Sequence, residues 1–259
     1  MRRPRHGGAL GSPLRMLAAA ALAAAALPSL AYLLPSAAVL RHLGQRRDLL
    51  QLGSLEVTGT LQAEGPTADR IHAAAGQPAG GAVNVPARIL IKIPGRCRLD
   101  VTGATPAESP ALVVRDARTE GALEPDPAAA ALVRAVCALL ATSTAGDASV
   151  AYSAALARRG IALGDESLGR FDGRIAYVIG GRTREPKPLL YVDKDTFQPL
   201  RLMAPEGGAM QDVRLLGWGS PTGGDWFPRA VEVYQDDTLR LRFTTEKATA
   251  NAKLPEGLL

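Results

Sequence analysis

Histidine, cysteine and aromatic side chains are scarce in this chain: three, two and 4% of 259 residues. Each shortage removes a class of chemistry. Nucleic-acid surfaces combine basic stripes with stacking aromatics. Here Lys and Arg are scattered among acids, in clusters no longer than Arg46-Arg47 or Arg158-Arg159, so nucleic acid is not an expected partner. His6 belongs to the N-terminal segment, His42 to a helix-like stretch and His72 to a loop-like one. No Ser/His/Asp or Cys/His set can be nominated, so no catalytic residue is assigned and the chain is not expected to be an enzyme. Cys97 and Cys137 stand about forty residues apart without flanking ligands, which is no zinc pattern. Neither metal nor cofactor is expected.

Acidic residues are missing altogether until Asp48, while Arg2, Arg3, Arg5 and Arg15 precede an Ala/Leu stretch that runs from Met16 and breaks at Pro28. That is the layout of a secretory signal. Small residues offer cleavage after Ala31, the first choice, or near Ala38. The apolar stretch is short of the roughly 20 residues of a membrane-spanning helix; an uncleaved anchor continuing through Tyr32-Leu33-Leu34 is the alternative. No cysteine near either site invites lipidation. Four arginines and no acid leave with the signal, which takes the net charge from +5 to +1. The expected mature chain, 32–259, is then one exported, periplasmic domain.

An oxidising compartment favours pairing of two cysteines. Cys97 lies in "IKIPGRCRLDV", where Leu99 and Val101 share its strand face and Arg96, Arg98 and Asp100 point away. Cys137 lies in "PAAAALVRAVCALLA", a helix expected over 127–141, on one stripe with Val133 and Leu140. Both sulfurs face apolar sides, and a Cys97–Cys137 disulfide pinning helix to sheet is expected. Closing a loop of about 40 residues would stabilise the fold by roughly 4 kcal/mol.

Periodicity organises the rest. A helix is expected over 36–51, with an apolar face of Val39, Leu40, Leu43, Leu49 and Leu50. "SLEVTGTLQ" alternates as a first strand, and 65–81, rich in Ala, Gly, Gln and Pro, reads as a mobile loop. Strands follow at 87–93, 96–102 and 112–116; helices fill 127–162 in two pieces; seven more strands are expected between 168 and 248. Asp193-Lys194-Asp195-Thr196, Gly180-Gly181 and Gly207-Gly208 read as turns rather than as sites. Ten or eleven antiparallel strands, mostly next-neighbour hairpins with a helical insertion, make a mainly β (α+β) fold. A sheet that long curls. The expectation is an unclosed antiparallel β-barrel with helices on its concave face.

The order of a helix, "LEVTGTL", "ARILIKIPGRCRLDV", a helical lid, "RIAYVIGG", "LLYVDKDTFQPLRL", "WFPRAVEVY" and a last strand ending "TANAKLP" resembles the LolA/LolB-like superfamily of outer-membrane lipoprotein carriers. Pro94-Gly95-Arg96 with Arg98, and Tyr191-Val192-Asp193 with Thr196, Pro199 and Arg201, carry it most strongly. The resemblance implies a monomeric periplasmic carrier whose hydrophobic cavity receives lipid acyl chains or lipoproteins. The alternative is a LolA-like sensor or scaffold that binds an envelope protein. Leu90 (or its neighbours Ile89 and Ile91), Leu99, Val101, Val133, Val136 and Leu140 are the expected cavity-lining residues. The Cys97/Cys137 pair and the aliphatic first hairpin depart from the family pattern.

Overall fold

The computed structural model describes residues 33–78, 80–101, 110–115, 118–143, 145–182, 187–255 and 257–259. The expected signal segment at 1–31 lies outside them. In chain order the elements are α1 (Ser36–Leu49), β1 (Ser54–Ala63), α2 (Pro66–Ala74), β2 (Val83–Lys92), β3 (Arg96–Val101), β4 (Ala111–Arg115), β5 (Arg118–Glu120), α3 (Pro127–Leu140) and α4 (Ala148–Ala157). They continue as β6 (Glu166–Phe171), β7 (Arg174–Ile179), β8 (Leu189–Asp193), β9 (Pro199–Glu206), β10 (Ala209–Leu216), β11 (Ala230–Gln235) and β12 (Thr238–Ala250).

All twelve strands belong to one antiparallel sheet in the order β5-β4-β3-β2-β1-β12-β11-β10-β9-β8-β7-β6. Every neighbouring pair but one is consecutive in the chain. The exception, β1 with β12, fuses a five-stranded meander to a seven-stranded one, with Leu61 opposite Phe243. The register shifts between Thr58 and Gly59. There a Cβ on Gly59 would strike the Thr244 carbonyl, so only glycine fits. The free edges, β5 and β6, are the two strands that flank the helical insertion, and the sheet stays open between them.

The sheet's curvature follows from its contacts. α3 packs on β3 and β4 and also on β9, β10, β11 and β12. β3 and β9 are six steps apart in the order, about 29 Å across a flat sheet at strand spacing, whereas a helix is about 10 Å wide. One helix touches both only because the sheet bends around it. Its concave face carries alternate side chains: Val57 and Leu61, Ile89 and Ile91, Leu99 and Val101, Val213 and Leu215, Val231 and Val233, Leu241 and Phe243, all in one buried cluster with α3.

The convex face of β7–β9 is buried too, beneath a smaller cluster of Ala176, Val178, Leu189, Tyr191 and Leu200. This explains why β8 is buried at every residue. Two sequence expectations change. The segment 66–74, read as loop, is α2, started by Pro66 at its first turn and held by Ala68 and Ile71 buried against the core. A short strand, β5, extends the sheet beyond β4.

Candidate functional site

α3 is the centre of the molecule, and its sequence explains its place. Of its fourteen residues six are Ala, so the helix is thin enough to lie inside the curve, and Arg134 is its only charge. Both ends are tied. At the start, buried Asp126 accepts the Ala129 amide at 2.7 Å and an Arg70 guanidinium from α2 at 3.2 Å. At the far end, the last carbonyls of a helix need outside donors. Thr142 Oγ1 donates to Ala138, the Tyr152 hydroxyl to Leu139 at 3.0 Å, Arg47 Nη2 to Leu140 at 3.2 Å and the Gly95 amide to Ala141 at 2.8 Å. Arg47 reaches from the end of α1 and also donates to the Trp226 carbonyl at 3.0 Å. Burial lowers the Arg47 pKa and pushes the Tyr152 phenol up to about 12.

Of the residues expected to line a cavity, Leu99, Val101, Val133, Val136 and Leu140 meet in the concave cluster. Leu90 does not. It is buried on the opposite face, beside its register partners Glu56 and Arg98, while Ile89 and Ile91 take the concave positions. Adjacent strand residues face opposite ways, so a one-residue difference moves a side chain through the sheet. The C-terminal segment lies on that convex side, where the Leu258 carbonyl accepts from Arg98 at 3.2 Å. Val133, Val136, Leu99 and Val101 are at most 2% exposed: the concave space they border is filled by α3 itself.

The expected disulfide is not formed. Cys97 and Cys137 are both free and both buried. They are nonetheless neighbours: burial, a hydrogen bond to Cys137 and the charge of that second sulfur raise the Cys97 pKa well above the usual thiol value. The faces assigned from sequence bring both thiols into the same buried cluster, but not to bonding distance. Asp193, read as a turn residue, is one. Its Oδ1 accepts from the amides of Asp195 and Thr196 at 3.0 and 2.7 Å, and its Oδ2 faces Arg174 at 3.2 Å.

Open space lies beside α3 rather than under it. A cavity of ≈ 570 Å³ sits between the β2–β3 turn, β4, α3 and the end of α4, lined by Gly95, Val114, Arg134, Cys137, Ala138, Thr142, Ala155, Arg158 and Arg159. Sequence reasoning named Arg158-Arg159 as a short basic cluster and passed over Arg134. The available signal was a single charge within an otherwise apolar helix, since charged residues are rarely placed there without a partner. Among the described residues no His/Cys/Asp/Glu group is arranged to hold a metal ion, and no helix is long and apolar enough to cross a membrane.

No protein-family model matches the chain, and no curated protein matches it. Solved structures do. One is a LolA superfamily protein from Nitrosomonas europaea, 11% identical over 86% of this chain and 96% of that one, with a TM-score of 0.45. Another is a DUF1329 family protein from Desulfovibrio piger, 9% identical over the same shares, with a TM-score of 0.41. Both likenesses are of overall architecture and give no residue of this chain a role.

Proposed function

We propose that this protein is a non-catalytic periplasmic carrier that shelters the acyl chains of a lipid or lipoprotein. One observation carries the reading: a continuous aliphatic wall curves around a single alanine-rich helix, and a cavity opens at that helix's side. Such a wall holds an alkyl chain without directional contacts, at about 0.8 kcal/mol for each buried CH₂. Because α3 fills the curve, cargo enters the side cavity first and reaches the wall only as α3 yields. The order of elements that resembles the LolA/LolB-like superfamily supports the same reading. So does the basic, acid-free N-terminus, read as a signal cleaved after Ala31. Cleavage near Ala38 would remove Ser36, whose amide and hydroxyl donate to Glu166 at 2.7 and 2.6 Å and tie α1 to the edge strand β6.

Native mass spectrometry of the purified mature protein, with titration of a fluorescent fatty-acyl probe, tests the proposal. Co-purifying lipid and saturable probe binding are expected. A protein that binds no probe and co-purifies with an envelope protein instead would be a scaffold rather than a carrier.

A further inference from the structure

The cavity beside α3 is unequally charged. Arg134 projects from α3, and Arg158 and Arg159 follow the end of α4. Glu206, at the end of β9, lies 3.5 Å from Arg134 and 3.9 Å from Arg159, and is the only carboxylate paired with the three among the described residues. Three guanidiniums thus face one carboxylate. The remaining donors are not well used. Arg134 also donates to the Thr119 hydroxyl, yet the Nε atoms of Arg134 and Arg159 are buried without an acceptor. The guanidinium of Arg158 is exposed and has no partner among the described residues. A buried donor left unmade costs free energy, so this arrangement favours any acceptor that arrives.

Val114, Cys137, Ala138 and Ala155 give the lining an apolar part, completed by Gly95 and by Thr142, whose hydroxyl donates to the Ala138 carbonyl. Guanidinium forks match the two-oxygen geometry of phosphates and carboxylates, and gain most where water is partly excluded. Burial lowers the Arg159 pKa while Glu206 raises it, as expected of a cation in want of more negative charge. The volume, ≈ 570 Å³, is that of a small-ligand site. An exposed basic patch would offer the charge without the apolar floor, and a purely structural ion pair would leave no space.

We infer that this cavity is a headgroup site: Arg134, Arg158 and Arg159 take the phosphate or carboxylate of an anionic amphiphile whose alkyl chain lies over Val114, Ala138 and Ala155. The inference rests on the carrier reading and adds the class of cargo to it. Glu206 holds two of the arginines in place until the anion enters.

Calorimetric titration of the mature protein compares dodecyl phosphate, dodecanoate, dodecyl maltoside and inorganic phosphate, each amphiphile below its micelle concentration. The two anionic amphiphiles are expected to bind at least about tenfold more tightly than the maltoside. Arg158→Gln and Arg159→Gln should lose that preference and keep the maltoside affinity. Arg158→Gln is the safer variant for folding, because its side chain is exposed; circular dichroism checks both. Equal affinities for anionic and neutral amphiphiles overturn the headgroup site and leave the carrier. Failure of every amphiphile overturns both. Inorganic phosphate binding as tightly as dodecyl phosphate would make this a free-anion site and also refute the inference.

Discussion

Arg47 donates to the Leu140 carbonyl at 3.2 Å, joining the last turn of α1 to the last turn of the helix that fills the sheet. The same side chain reaches the Trp226 carbonyl, so one buried cation satisfies two carbonyls in two other segments. Replacing it with an apolar residue of similar length, Arg47→Met, removes a costly desolvated charge but strands both acceptors. The net expectation is a loss of about 1–3 kcal/mol, read as a lower urea midpoint. Hydrogen exchange should quicken first at the end of α3. Unchanged exchange there would mean that Arg47 does not hold the helix.

Tyr152 gives a pH dependence with a definite sign. Its phenol is pushed up to about 12 in the fold, chiefly by burial, against about 10 in the unfolded chain. The folded state therefore keeps a proton that the unfolded state releases. The associated stability is fully present below pH 10 and is lost as pH rises toward 12. The change is about 2–3 kcal/mol for two units. Thermal unfolding between pH 9 and 12 should show this decline, with a shallower one in Tyr152→Phe. Equal slopes in the two proteins would remove Tyr152 as the cause.

The packing of α3 distinguishes two ways of holding an acyl chain. Val136 is fully buried, so Val136→Asp should unfold the protein rather than merely weaken binding. Val136→Ala is the informative change. It should cost about 1–3 kcal/mol and open space beneath the helix. If cargo shares the concave wall, the folded variant binds an acyl probe more tightly. An unchanged affinity would confine cargo to the side cavity.

The cysteines make a chemical prediction. Cys137 lines the side cavity and is slightly exposed, whereas Cys97 is fully buried with its pKa raised. A maleimide should therefore modify Cys137 before Cys97 in the native protein, and both thiols should react once it is unfolded. Intact mass with peptide mapping should show one adduct, on Cys137, before the second appears. Equal rates at the two thiols in the native protein would sink this expectation.

Much of the architecture was written in local patterns. Strand alternation such as Leu239-Leu241-Phe243 against Arg240 and Arg242, the helix from Pro127, and the turn made by Asp193 depend on neighbours a few residues away, so the sequence by itself determined them. It also determined that Cys97 and Cys137 face the same core, because strand and helix periods assign faces. Other features depended on partners distant in the chain, and only the tertiary structure decided them. α2 exists because Ala68 and Ile71 find a core to enter, against a Gly- and Pro-rich composition that reads as loop. Leu90 lies on the convex face because register between β1, β2 and β3, set across the whole sheet, chooses between adjacent residues. The pairing of β1 with β12, with Leu55 opposite Ala250, joins residues far apart in the chain, and no local signal encodes it. The arginine-lined cavity is of the same kind. Arg134 and Arg158-Arg159 sit on separate elements and share one space only because α3 and α4 pack there together, while the field they create belongs to their arrangement and to Glu206.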